Sequence, residues 1–216
     1  MLEETTIMRI RYVKRVRMSL ELSELCPRAP ELPVGLTMLS WRDSLVDVHA
    51  RVLHAAFCND LDGRFFPTFR QYEACKGLVE ATVGSTRWFR QGWFLVADAI
   101  ASGRDGKPAR CYGAVHTTKT DRRIGEIQNI SVMPGARRQG LGRALLASAL
   151  FAFRSCNFRR VNLDVTAENY GAMRLYLAAG FRQVGISFTE SFVDDSSQFI
   201  FQDDDRAPKD YIEFVT

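Results

Sequence analysis

The stretch Asn129-Ile-Ser-Val-Met-Pro-Gly-Ala-Arg-Arg-Gln-Gly-Leu-Gly-Arg-Ala144 decides the reading of this chain. It opens in a β-prone run, residues 124–132, which Pro134 breaks because proline has no N–H for a ladder. A short basic turn follows, and Gly140 and Gly142 lead into a run of helical spacing, predicted as a helix over residues 139–154. Without a Cβ, the two glycines let a ligand come close to the main chain. The first N–H groups of a helix have no partner within it and sit at the positive end of its dipole. Together these features predict a socket for a phosphate or pyrophosphate, with Arg137, Arg138 and Arg143 adding charge. It is not a P-loop, because no Gly-Lys-Ser/Thr follows. Nor is it a complete dinucleotide fingerprint, because Leu145 stands at the third glycine position.

Outward from this stretch, a strand is predicted over residues 161–165 and a helix over 169–179, with Gly180 as its C-cap and a strand from Phe181. Upstream lie strands over 93–97, 110–117 and 124–132, joined by turns at 103–108 and 119–123. Before them, a strand over 35–40 and helices over 42–57 and 68–80 enclose a polar loop, residues 59–66. Residues 9–22 alternate, with Arg9, Arg11, Arg15 and Arg17 on one side and Ile10, Tyr12, Val16, Met18, Leu20 and Leu22 on the other. That period reads as an edge strand with a basic solvent face. Pro27, Pro30 and Pro33 mark a linker, so residues 1–34 read as an N-terminal strand and proline-rich arm and 35–216 as one domain. A last strand near 211–215 follows the acidic run 203–205. Antiparallel strands followed by alternating strands and helices predict an α+β fold, a mixed, mostly antiparallel sheet with helices on both faces.

The 216 residues carry a net charge of +4, which suits an anionic cofactor and does not point to nucleic acid. Five cysteines, odd in number and without CxxC spacing, argue against a disulfide framework or a zinc site and fit a reducing cytoplasm. The early acids Glu3 and Glu4 do not resemble a secretory leader, and the apolar run 144–153 is too short to span a bilayer. A cytoplasmic protein without metal, membrane or nucleic-acid partner is expected.

RRQGLG, residues 137–142, reproduces the Q/R-x-x-G-x-G/A signature of the GNAT N-acetyltransferases, and Ile130-Ser-Val-x-Pro134 matches the strand before it. A second motif is similar too: Asn169-x-x-Ala172-x-x-Leu175-Tyr176-x-x-x-Gly180-Phe181. The likeness covers residues 124–187, and on it the chain is identified as a member of that family, with acetyl-CoA as co-substrate and an amine as acceptor. It implies a bulged, splayed strand pair that holds CoA. Ile130, Ser131 and Val132 would lie along the pantetheine, and the loop Arg137, Arg138, Gln139, Gly140, Leu141, Gly142 and Arg143 would hold the pyrophosphate. Val132 N–H would be the oxyanion donor, Tyr176 the acid that protonates the thiolate, and Glu126 the base. Asn169 would cap its helix and reach the pantetheine. Asp60, Asp62 and Arg64 fall where family members shape the acceptor pocket, or form a plain polar loop.

The run through RRQGLGRALL also resembles the protein-N-terminus (RimI-like) branch, although its aromatic motif is replaced by Ser187-Phe-Thr-Glu-Ser-Phe192. His116 could serve as a base or be a satisfied structural histidine, and Cys156 reads as a core thiol. Two competing readings are a non-catalytic acyl-CoA-binding module of the same fold and a nucleic-acid binder using the Arg9–Arg17 face. The acceptor, small molecule or protein N-terminus, is left open, as is a homodimer.

Overall fold

The computed structural model describes residues 8–24, 31–99, 108 and 110–194. The expected last strand and acidic tail lie outside these residues, as do Cys26 and most of the linker. The strands are β1 (Met8–Glu21), β2 (Leu36–Ser40), β3 (Phe94–Asp98), β4 (Cys111–Lys119), β5 (Ile124–Val132), β6 (Arg160–Thr166) and β7 (Arg182–Asp194). The helices are α1 (Val46–Phe57), α2 (Leu61–Phe65), α3 (Tyr72–Val83), α4 (Leu141–Ser155) and α5 (Tyr170–Ala178). All seven strands join one sheet in the order β2-β3-β4-β5-β6-β1-β7, antiparallel except for β5 with β6.

Alternation along the strands assigns the two faces. Ala114 and Leu95 pack with Leu45 and Val52 at the α1 side, while Val115 and Ile127 pack with Leu141, Leu145 and Phe153 of α4 at the other. Gly125 is required by this packing, because a Cβ there would collide with the Phe153 ring. A second cluster joins α1 to α3 through Ala50, Leu53, Phe57, Cys75 and Val79.

The N-terminal strand is not an edge. β1 sits between β6 and β7 and pairs with both. Its even-numbered residues supply core: Val16, Met18 and Leu20 lie opposite Val165, Leu163 and Val161 of β6. Complementary charges set the same register, since Arg17 is paired with Asp164 and Glu21 with Arg160 directly across the strands. Arg17, which looks like edge protection in one dimension, is therefore the cross-strand partner of an acid 147 residues away in sequence.

The polar segment 59–66, expected as loop, contains α2. Its chain turns so tightly against the end of α1 that a Cβ on Gly63 would overlap the Phe57 carbonyl. Glycine at that corner lets the helix form, and local composition hides it. Cys156 is exposed at the C-cap of α4 rather than in the core, because α4 ends there and Asn157 adopts a left-handed φ of 62°.

Candidate active site

Two irregularities in β5 open a cleft. Against β4, His116 pairs with Asn129 but Thr117 pairs with Ile127, which leaves Gln128 as an extra, bulged residue. Against β6, pairing ends at Ile127 with Leu163, although β5 runs on to Val132 and β6 to Thr166. The two strands therefore diverge from the bulge onward.

The peptide groups of β5 alternate in direction. Met133 N–H donates to Tyr112 O of β4 at 2.9 Å, so Ser131 also faces β4 and the N–H groups of Ile130 and Val132 face the opening. Ser131 is buried, and its hydroxyl donates to Ala114 O at 3.3 Å. Arg137 fixes the Val132 peptide. Its Nε donates to Val132 O at 3.2 Å, and its Nη2 donates to Ala56 O at 2.8 Å and to Asp60 Oδ2 at 3.0 Å. Arg137 and Asp60 thus brace the loop against the end of α1 instead of pointing at a phosphate or an acceptor.

The glycine loop curls through two left-handed residues, Arg138 at φ 65° and Gly140 at φ 82°. Gly140 is the N-cap of α4, whose first N–H groups are left for a ligand. Arg138, Gln139 and Arg143 are exposed around it. A Cβ on Gly142 would meet Leu175 at an ordinary 3.5 Å, so internal packing does not demand that glycine. The N–H groups of Ile130 and Val132, and this bare helix start, are what a pantetheine arm and a pyrophosphate need. The chain therefore fits the CoA moiety. Bound there, acetyl-CoA supplies an activated acyl thioester.

Tyr176 of α5 lines the same cleft, of about 320 Å³, together with Ile130, Asn129, Thr166 and Asn169. Burial and the nearby Asp62 push its phenol well above the usual tyrosine range, with Arg15 opposing. It therefore holds its proton. Asn169 is the N-cap of α5 and accepts from Ala172 N–H at 3.1 Å.

Beside it lies a smaller cavity of about 230 Å³, walled in part by Arg15, Phe66, Glu126, Gln128 and Asp164. Glu126 accepts from Arg87 Nη2 at 2.8 Å and lies 3.6 Å from Arg17. Asp62 accepts from the Thr166 hydroxyl at 2.6 Å, and that hydroxyl accepts from Arg15 Nη1 at 2.6 Å. Arg64 stands exposed on α2. Of the acceptor candidates, only Asp62 lines either cavity.

His116 lines the cleft from β4 and is held by two aromatic neighbours. It stacks on Trp93 at 4.1 Å between centroids, it is 3.0 Å from His49 Nδ1 through its Nε2, and burial pushes its pKa down to about 3. His49 is lowered well below the ordinary value for the same reason, with His116 contributing. The pair is neutral in the folded protein near neutral pH.

Sequence reasoning missed Arg15, Arg17, Arg87 and Gln128. The arginine alternation in β1 was a visible signal, but its place between β6 and β7 was not.

The sequence model of the Acetyltransferase (GNAT) family matches residues 65–181. The chain belongs to this family. A mycothiol acetyltransferase from Actinosynnema mirum is 30% identical over 177 residues, spanning 78% of this chain and 52% of that protein. A GCN5-related N-acetyltransferase from Sphaerobacter thermophilus superposes with a TM-score of 0.63 at 22% identity, covering 86% of this chain and 53% of that one. The ribosomal-protein-S18-alanine N-acetyltransferase from Escherichia coli shares the fold at a TM-score of 0.51 and 19% identity, over 69% of this chain and 79% of that one. The chain spans about half the length of the curated relatives it matches. Among the described residues no helix of this GNAT chain is long and apolar enough to cross a membrane.

Proposed function

We propose that this GNAT chain moves an acetyl group from acetyl-CoA to a primary amine by direct attack within a ternary complex. The observation that carries the reading is the opening of β5 from β6, which leaves the N–H groups of Ile130 and Val132 facing the gap between the strands, where Ile130 and Tyr176 line one cleft.

The amine attacks the thioester carbonyl as its neutral form, since most alkylamines are protonated near pH 7 and must first lose a proton. Charge then builds on the carbonyl oxygen, and Val132 N–H stabilises that oxyanion. Collapse expels the CoA thiolate, and Tyr176 supplies its proton. Glu126 takes the amine proton. To do so it exchanges one of its arginine contacts for the incoming ammonium, directly or through a water.

A small-molecule amine fits better than a protein N-terminus. The acceptor side is a polar cavity of about 230 Å³, and the relatives matched over most of this chain are named mycothiol acetyltransferases, after a small molecule. The test is a screen of small amines and peptide N-termini that reads CoA thiol release and the mass of the acylated product. Amide formation with at least one small amine is expected. Tight acetyl-CoA binding with no thiol release on any amine would instead favour the non-catalytic acyl-CoA-binding module.

A further inference from the structure

Three acid–base pairs surround the acceptor cavity, whose own lining carries Arg15, Glu126 and Asp164, and two of the three cations, Arg15 and Arg17, come from β1, outside the segment that the family model matches. Arg17 holds Asp164 with Nε and Nη2 at 3.1 and 2.8 Å, and Arg87 holds Glu126 at 2.8 Å. Arg15 is different. Its two shortest bonds are to neutral oxygens, the Thr166 hydroxyl at 2.6 Å and the Asp164 main-chain carbonyl at 2.8 Å. The carboxylate oxygen Asp62 Oδ1 is 3.7 Å away and already accepts from Thr166. The Arg15 side chain is 18% exposed, lies over the Phe66 ring and lines both the Tyr176 cleft and the smaller cavity. A guanidinium has five N–H donors in a fixed fork, so one anchored by two neutral oxygens still presents donors to a carboxylate.

The charge balance narrows the occupant. Arg15, Glu126 and Asp164 line the cavity, and their partners Asp62, Arg87 and Arg17 stand just behind them, which brings the site as a whole near neutrality. A polyamine would call for a net negative wall and a phosphorylated amine for a net positive one. A neutral zwitterion matches both signs. Its ammonium can replace an arginine at Glu126, and its acid group can take the open donors of Arg15.

We propose that the acceptor is a small zwitterionic amine, one bearing a carboxylate, and that Arg15 is the specificity-determining residue that binds that carboxylate. The proposal rests on the amine-transfer reading above and names the acceptor class of that site.

The test compares kcat/KM for glycine, β-alanine and γ-aminobutyrate with that for their primary amides, with putrescine as a dication. Acetyl-CoA is saturating, and wild type is measured beside Arg15→Gln and Arg15→Lys. In wild type at least one acid should exceed its amide by roughly tenfold or more, about the size of one charge-assisted contact. Arg15→Gln should lower kcat/KM for that acid roughly tenfold more than for its amide, mainly through KM, and Arg15→Lys should restore part of the preference. Wild type using amides or putrescine as well as acids would overturn the proposal whatever the variants do. So would a preference unchanged in an Arg15→Gln protein that keeps its thermal midpoint and its acetyl-CoA Kd. Bound acetyl-CoA with thiol release on other amines but on none of these acids would also overturn it, while leaving amine transfer standing.

Discussion

At the scale of single residues, Tyr176 and His116 share a cleft and differ in what burial does to them. The phenol is pushed up, which keeps it protonated, and the imidazole is pushed down, which keeps it uncharged. Replacing Tyr176 by Phe should lower kcat by about 10²–10⁴, the usual worth of a positioned acid, with acetyl-CoA Kd unchanged. Equal turnover would show that another group protonates the thiolate. For His116 the consequence is a pH dependence of stability. An unfolded histidine titrates near 6.5, and folded His116 near 3. Between those values the unfolded chain binds a proton that the folded chain does not, so stability is full above about 6.5 and falls as pH drops towards 3. His116→Phe should show a shallower loss of thermal midpoint than wild type between pH 7 and pH 4. Parallel curves would mean that the pair is not the titrating element. Tyr176 and Asn169 were legible in the sequence because their motif spacing is local. The ion pairs around Glu126 were not, because Arg17 and Arg87 reach it from β1 and from the segment before β3.

At the scale of elements, three glycines do three jobs, and substitution separates them. Gly63 allows the α1–α2 corner, so Gly63→Ala should destabilise the fold through a clash with the Phe57 carbonyl, seen as a lower thermal midpoint. Gly140 holds a φ of 82°, so Gly140→Ala should cost about 1–2 kcal/mol in denaturant titration. Gly142 faces ordinary contacts only. Gly142→Ala should therefore leave the fold nearly intact, and on the proposed placement of the pyrophosphate Gly142→Val should raise acetyl-CoA Kd by roughly tenfold or more. A Kd that stays put would remove the pyrophosphate from that helix start. The strand–turn–helix from β5 to α4 was readable because a proline, two glycines and a helical apolar run fall within one short stretch. α2 was not, since its cause is a corner packed against α1.

At the scale of the whole molecule, β1 links both ends of the chain. It fills the place between β6 and β7, contributes Met18 at 0% exposure to the core and lines the smaller cavity with Arg15. Met18→Ala should cost about 2–5 kcal/mol in denaturant titration. A cost below about 1 kcal/mol would mean that β1 is peripheral. Its alternation was plain in the sequence, but its position was not, because pairing across the chain leaves no local mark. The same long-range order opens β5 from β6, and this opening is the centre of the account. Amide exchange of the protein, followed by NMR with and without acetyl-CoA, tests it directly. The N–H groups of Ile130 and Val132 should gain protection when acetyl-CoA is added, while Met133, already bonded to Tyr112, should change little. No change at Ile130 and Val132 in a protein that binds acetyl-CoA would contradict the placement of the co-substrate between these strands.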